Sequence, residues 1–232
     1  MAIIWLEDVP LEIRRMVYSR YFGYRSVHLM HKREAESFRQ DCKPLFTVSI
    51  QLRDEAVAVC MAQTTFIALM WPIDASDQAF EKSFHLLRPG VRHLQLSATH
   101  FTTAKMNKIS EKCQLDESKL DNLTISTVYL DGLGRPWLQW ALTDAQSYAH
   151  NVHIRLNALD GRHLSTACKI KIGTDQSLEL IGLRKQDVDE AGEILVEELL
   201  ALDAGRPRTI NMVHLWPPRQ PSRSIDVSRH MS

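Results

Sequence analysis

The chain has 232 residues, 44% of them hydrophobic, so it is long and apolar enough to bury a core and is not disordered throughout. Lysine plus arginine (28) balances aspartate plus glutamate (28), so no whole-chain field favours nucleic acid or an anionic membrane surface. The four cysteines, Cys42, Cys60, Cys113 and Cys168, form no C-x-x-C pair; this argues against a zinc ribbon or a thioredoxin-like centre and assigns them to buried apolar positions.

The first six residues are apolar but meet Glu7 and Asp8 at once and lack a basic segment, unlike a secretory leader. No run approaches the roughly 20 apolar residues that a bilayer span requires. The expectation is a soluble chain of the cytoplasm or nucleus, with no membrane partner and no nucleic acid.

In chain order, Leu6 to Tyr18 reads as a short amphipathic helix with Asp8 as N-cap, Pro10 in the first turn, and Leu11, Ile13, Met16 or Val17, and Tyr21 at helical spacing. Gly23 to Lys43 is polar and charged and reads as a solvated connector. Pro44 then opens a second helix, in which Leu45, Val48, Leu52, Ala56 and Val59 form one stripe. Thr64 to Leu69 is rich in β-branched and aromatic residues and ends at Trp71-Pro72, as a strand does.

Asp77 to Leu87 has helical spacing, broken by Pro89-Gly90, and Val91 to Leu96 alternates as a half-buried strand. A helix around Thr103 to Cys113 precedes a second alternating strand, Leu123 to Val128, which ends near the turn signal Asp131-Gly132-Leu133-Gly134. A helix over Pro136 to Ala149 and a strand over Val152 to Leu156 follow. Successive strands in such a rhythm are candidates for parallel α/β pairing, and Leu94-x-Leu96 with Leu123-x-Ile125 resembles leucine-rich-repeat strand cores without a regular period.

Lys169 to Ile172 and Leu178 to Ile181 read as a hairpin across Gly173 to Gln176. Lys185 to Leu202 carries an apolar stripe (Val188, Ala191, Leu195, Leu199, Leu202) opposite an acidic face, and Gly205-Arg206-Pro207 ends it. Beyond it, five arginines face only Asp226, so a basic, proline-containing tail over 205–232 is expected to be mostly disordered. Within that tail, Ile210 to Trp216 is apolar enough to add an edge strand. Trp216-Pro217-Pro218 has the composition of a polyproline II ligand.

Leu6 to Tyr18, followed by Val48-Ser49 and Arg53-Asp54-Glu55-Ala56, resembles the F-box-like proteins of filamentous ascomycetes, including the family named for paired Glu-x-Arg motifs. That family carries L-P-x-E-I-R-x-x-I-Y and V-S-x-x-I-R-x-E-A helices and then an aromatic-bearing strand. Here Val9 stands for the leucine before the proline, Ile50-Gln51-Leu52 for Arg-Gln-Ile, and Cys60 to Gln63 for Phe-Tyr-x-x-Asn. The resemblance implies a docking helix for the Skp adaptor of cullin-RING ubiquitin ligases. It places the contact residues at Leu6, Val9, Pro10, Leu11, Ile13, Arg14, Val17 and Tyr18, and leaves an unknown client protein for the rest of the chain.

The expected fold is thus mixed α+β or α/β: F-box-like helices over 1–62, an α/β body of short strands and helices over 63–204, and the tail. The expected function is a non-enzymatic protein–protein interaction module, possessing no catalytic residue, metal or cofactor. No G-x-S-x-G, P-loop or G-x-G-x-x-G is present, and His28-x-x-His31 and His150-x-x-His153 lack the further ligands that zinc needs. Two other readings stay open: an enzyme whose site assembles only in three dimensions, and a structural domain whose N-terminal helix merely covers the core.

Overall fold

A computed structural model describes residues 6–23, 25–29, 31–46, 49–68, 86–97, 103–115, 117–127, 140–160, 163–172, 177–182, 188–189, 192–193, 195–196, 209–214 and 223–226. The chain is a mixed α/β protein, and its internal contacts divide it into two units: Met1–Gln95 with Ala104–Leu120, and Leu96–Thr103 with Asp121–Ser232. Among the described residues no helix is long and apolar enough to cross a membrane.

The first unit opens with a single 3-10 turn at Leu6–Asp8, and helix α1 (Leu11–Phe22) starts only after Pro10, which occupies the cap without a side-chain bond. Proline's fixed φ and missing donor suit that position, so the helix begins later than an Asp8 cap predicts. Strand β1 (Ser26–His28) and helix α2 (Lys32–Phe46) occupy the expected connector. The connector reading fails because Ala35, Phe38 and Cys42, spaced i, i+3 and i+7, are all buried. Those three apolar residues suffice to dock a helix that is otherwise charged. Pro44 lies inside its last turn, not at the start of the next helix.

Helix α3 (Ile50–Gln63) is capped by Ser49, whose Oγ accepts from the Leu52 N–H at 3.3 Å. It therefore starts later than expected; of the expected stripe Leu52 and Ala56 are buried, together with Cys60 and Met61, and Val59 is half-buried, while Val48 lies outside the described residues. Both α1 and α2 pack on α3. Strand β2 (Thr65–Ala68) pairs parallel with β1, Val27 opposite Phe66, and Phe66 meets Phe38 of α2 edge-to-face at 6.2 Å. β3 (His93–Ser97) lies beside β2. Leu94, Gln95 and Leu96 are all buried, so this strand is covered on both faces and is not half-exposed. Helix α4 (Thr103–Cys113) has the bounds its periodicity predicts, with Met106, Ile109 and Cys113 buried.

In the second unit, β4 (Leu120–Thr127), β5 (Ala149–Asp160), β6 (His163–Ile172), β7 (Leu178–Gly182), β8 (Thr209–His214) and β9 (Arg223–Asp226) follow one another across the sheet in chain order. Residues 140–143 and the short helix α5 (Ala145–Tyr148) precede β5, and Trp140 stacks on Tyr148 at 5.7 Å. β5, β6 and β7 form an antiparallel meander, and β7 and β8 are parallel. The register aligns Val152, Ile172 and Leu178, and next to them Ile154, Ile170 and Leu180, on the buried face, so period-two alternation holds across three strands.

The tail is less disordered than its composition suggests: the run from Ile210 does add a strand, and Arg223–Asp226 adds another that was not expected. Thr209–His214 pairs with Leu178–Gly182, and Arg223–Asp226 pairs antiparallel with β8, so these stretches are ordered sheet. The apolar, β-branched run from Ile210 supplies the backbone ladder of β8. The acidic helix is helical at 188–189, 192–193 and 195–196, with Val188 and Leu195 buried. The predicted helix before Leu86, the Asp131 to Gly134 turn, the Gly173 to Gln176 turn and Trp216-Pro217-Pro218 lie outside the described residues.

Candidate docking face of the N-terminal helices

The site begins with an ion pair. Arg14 reaches from α1 to Glu55 of α3 in a fork: Nε donates to Oε2 at 2.8 Å and Nη2 to Oε1 at 2.7 Å. Its Nη1 donates to the carbonyls of Glu7 (3.2 Å) and Val9, fastening the opening turn to the same pair. This geometry raises the Arg14 guanidinium further and holds the Glu55 carboxyl below the usual carboxylate range. At the other end of α1, Gln63 Nε2 donates to Ser19 Oγ at 2.8 Å. Helix α1 is thus clamped to α3 at both ends along one face.

That face carries Arg14, Tyr18 and Phe22, all buried. The opposite stripe, Ile13, Met16, Val17 and Tyr21, is apolar and exposed, with Met16 at 66% and Val17 at 50%. Of the stripe expected at helical spacing, Ile13, Met16, Val17 and Tyr21 therefore stand outward and Leu11 is half-buried. Tyr21 is partly fixed in place: its hydroxyl donates to the Asp41 carbonyl at 2.9 Å, and the Arg25 guanidinium lies 4.9 Å over its ring while bonding Asp41 Oδ2 at 3.1 Å.

The residues expected to contact the adaptor divide accordingly. Ile13, Val17 and Pro10 are exposed, Leu6, Val9 and Leu11 are half-buried, and Arg14 and Tyr18 face the interior. Met16, Tyr21 and Ile50 (70% exposed) add apolar surface that was not among the expected contacts. Their exposure was not readable, because large apolar residues at helical spacing ordinarily mark a core.

The histidines assemble no centre. His28 and His31 meet edge-to-face at 5.8 Å and His31 lies 3.9 Å from Glu34, but among the described residues no three His, Cys, Asp or Glu side chains converge to hold a metal. His150 and His153 both lie on β5, where a spacing of three puts them on opposite faces. His153 is pressed to about 4 by burial and by the charges of Lys169 and Lys171. Compared with protein-family models, curated proteins and solved structures, the chain matches none.

Proposed function

We propose that this chain is a non-enzymatic interaction module of the F-box-like kind, acting in the cytoplasm or nucleus. The outer face of α1 docks on the Skp adaptor of a cullin-RING ubiquitin ligase, and the second unit holds a client protein. The observation that carries the reading is the exposed stripe Ile13, Met16 and Val17 on a helix that Arg14–Glu55 and Gln63–Ser19 hold from behind. A clamped helix loses little freedom on docking, so the burial of its apolar face is offset by a small ordering cost.

Covering the surface that these three exposed side chains still show, about half of each, contributes about 2–4 kcal/mol in all, roughly 30- to 1000-fold in Kd. Calorimetric titration of the full chain with purified adaptor tests this. Binding is expected, and Ile13→Asp and Val17→Asp should each weaken it at least about tenfold. Both variants should keep the parent's circular dichroism, since their side chains already stand in solvent. No binding by the parent chain overturns the proposal. The burial of Tyr18 and Phe22 favours the competing structural reading, in which α1 only covers the core; under it neither variant changes any association.

A further inference from the structure

In the second unit the β5–β6–β7 meander turns Val152, Ile154, Ile170, Ile172, Leu178 and Leu180 toward the core, so the residues between them stand on the opposite face. On that face His153 lies directly opposite Lys171, and Arg155 directly opposite Lys169. Strand β7 continues the two rows with Glu179 beside Lys171 and Ile181 beside Lys169. Arg155, Lys169 and Lys171 are exposed, whereas His153, Glu179 and Ile181 are half-buried.

Like charges placed directly opposite each other destabilise a sheet, whereas opposite charges there stabilise it. Lysines on an edge strand block unwanted pairing, but β6 is paired on both sides, so edge protection does not account for Lys169 and Lys171. Among the described residues Arg155, Lys169 and Lys171 form no ion pair. Their field is felt locally: burial, and then the charges of Lys169 and Lys171, press His153 down to about 4.

We propose that this outer face of β5 and β6 is the client-contact surface of the second unit, and that it takes an extended acidic segment of a partner polypeptide with carboxylates at every second residue. The proposal rests on the client half of the function given above and needs nothing from the adaptor contact.

The spacing selects that occupant. Lys169 and Lys171 are two residues apart on one strand, about 6.6 Å, and the neighbouring row on β5 is about 4.8 Å away. An extended chain lying along β6 repeats its own side chains at the same two-residue interval, so its carboxylates at i and i+2 meet both lysines at once. Arg155, beside Lys169, offers a planar fork to the carboxylate there. For nucleic acid the face is small: three cations neutralise at most three phosphates, Glu179 opposes a continuous polyanion, and the chain has no net charge to steer one.

The test titrates the full chain, by fluorescence anisotropy at low salt, into a fluorescein-labelled peptide of four Glu-Ser repeats. The expected result is saturable binding that weakens as salt rises, with the His153 ring resonances shifting on titration. In the double variant Lys169→Glu, Lys171→Glu the affinity should fall at least about tenfold. That variant should melt no lower than the parent, because Arg155 then faces a carboxylate and His153 no longer faces a cation. Lys112→Glu, a reversal at an exposed site on α4, should leave peptide binding unchanged. A parent chain that binds the adaptor but not the peptide overturns this surface and leaves the docking helix standing; one that binds the peptide but not the adaptor does the reverse. Equal loss in Lys112→Glu, or an eight-nucleotide oligothymidylate binding as tightly as the peptide, also overturns the proposal.

Discussion

Tyr18 was expected at the adaptor contact and lies instead at 0% exposure on the inner face of α1, with a hydroxyl that meets no hydrogen-bond partner among the described residues. Burial, followed by the charge of Glu55, raises its phenol above the ordinary value. A buried hydroxyl without a partner costs about 1–3 kcal/mol relative to water, and Tyr18→Phe removes it while leaving the ring in place. Loss of the oxygen leaves a small void that returns part of this gain, so the net stabilisation should be about 0.5–1.5 kcal/mol. For a chain of this length each kcal/mol moves the midpoint by about 2–4 °C, so Tm should rise by about 1–6 °C. Scanning calorimetry of parent and variant, with chemical denaturation as a check on two-state behaviour, measures it. Adaptor affinity should not change, because the side chain is out of reach. A lower Tm for Tyr18→Phe refutes the reasoning, since it requires that the hydroxyl be bonded in the folded protein.

At Gly23, an added Cβ would lie 2.4 Å from the Ser19 carbonyl oxygen, to which the Gly23 N–H already donates at 2.7 Å; Gly23→Ala should cost about 1–3 kcal/mol in urea denaturation. His153, with its folded value near 4 against an ordinary 6.5, binds fewer protons in the native than in the unfolded chain. Its contribution to stability is therefore complete above about pH 6.5, declines as pH falls toward 4, and is constant below that, an effect moderated by its partial exposure. Comparing urea midpoints of parent and His153→Gln at pH 7 and 4.5 isolates it, and parallel declines would contradict it. Ending the chain at Leu202 removes β8 and β9 and leaves the β7 edge unpaired. At a net 0.5–1.5 kcal/mol per ladder hydrogen bond the loss should be roughly 2–5 kcal/mol. A chain ending at Trp216 keeps β8 and should lose less, and equal melting of all three forms would show that the tail is dispensable.

Much of the secondary structure was legible from local pattern. Thr103–Cys113 has bounds that match its periodicity, and the β6–β7 hairpin, β2 and β4 appear where alternation and β-branched content place them. What could not be read was phase. In α1 both Ile13, Val17, Tyr21 and Arg14, Tyr18, Phe22 recur at helical spacing, and hydrophobicity alone selects the first set. The second set is buried because Glu55, 41 residues away, neutralises Arg14 and makes its face compatible with the core. Likewise, Ala35, Phe38 and Cys42 become a helix face only where Phe66 is there to receive them, and Arg223–Asp226 becomes a strand only beside β8. The chain by itself determined period, length and turn chemistry, which depend on neighbours a few residues apart. Which face is buried, which charge is paired and which edge is filled are decided by energies between residues far apart in sequence, and those exist only once the tertiary structure has brought them together.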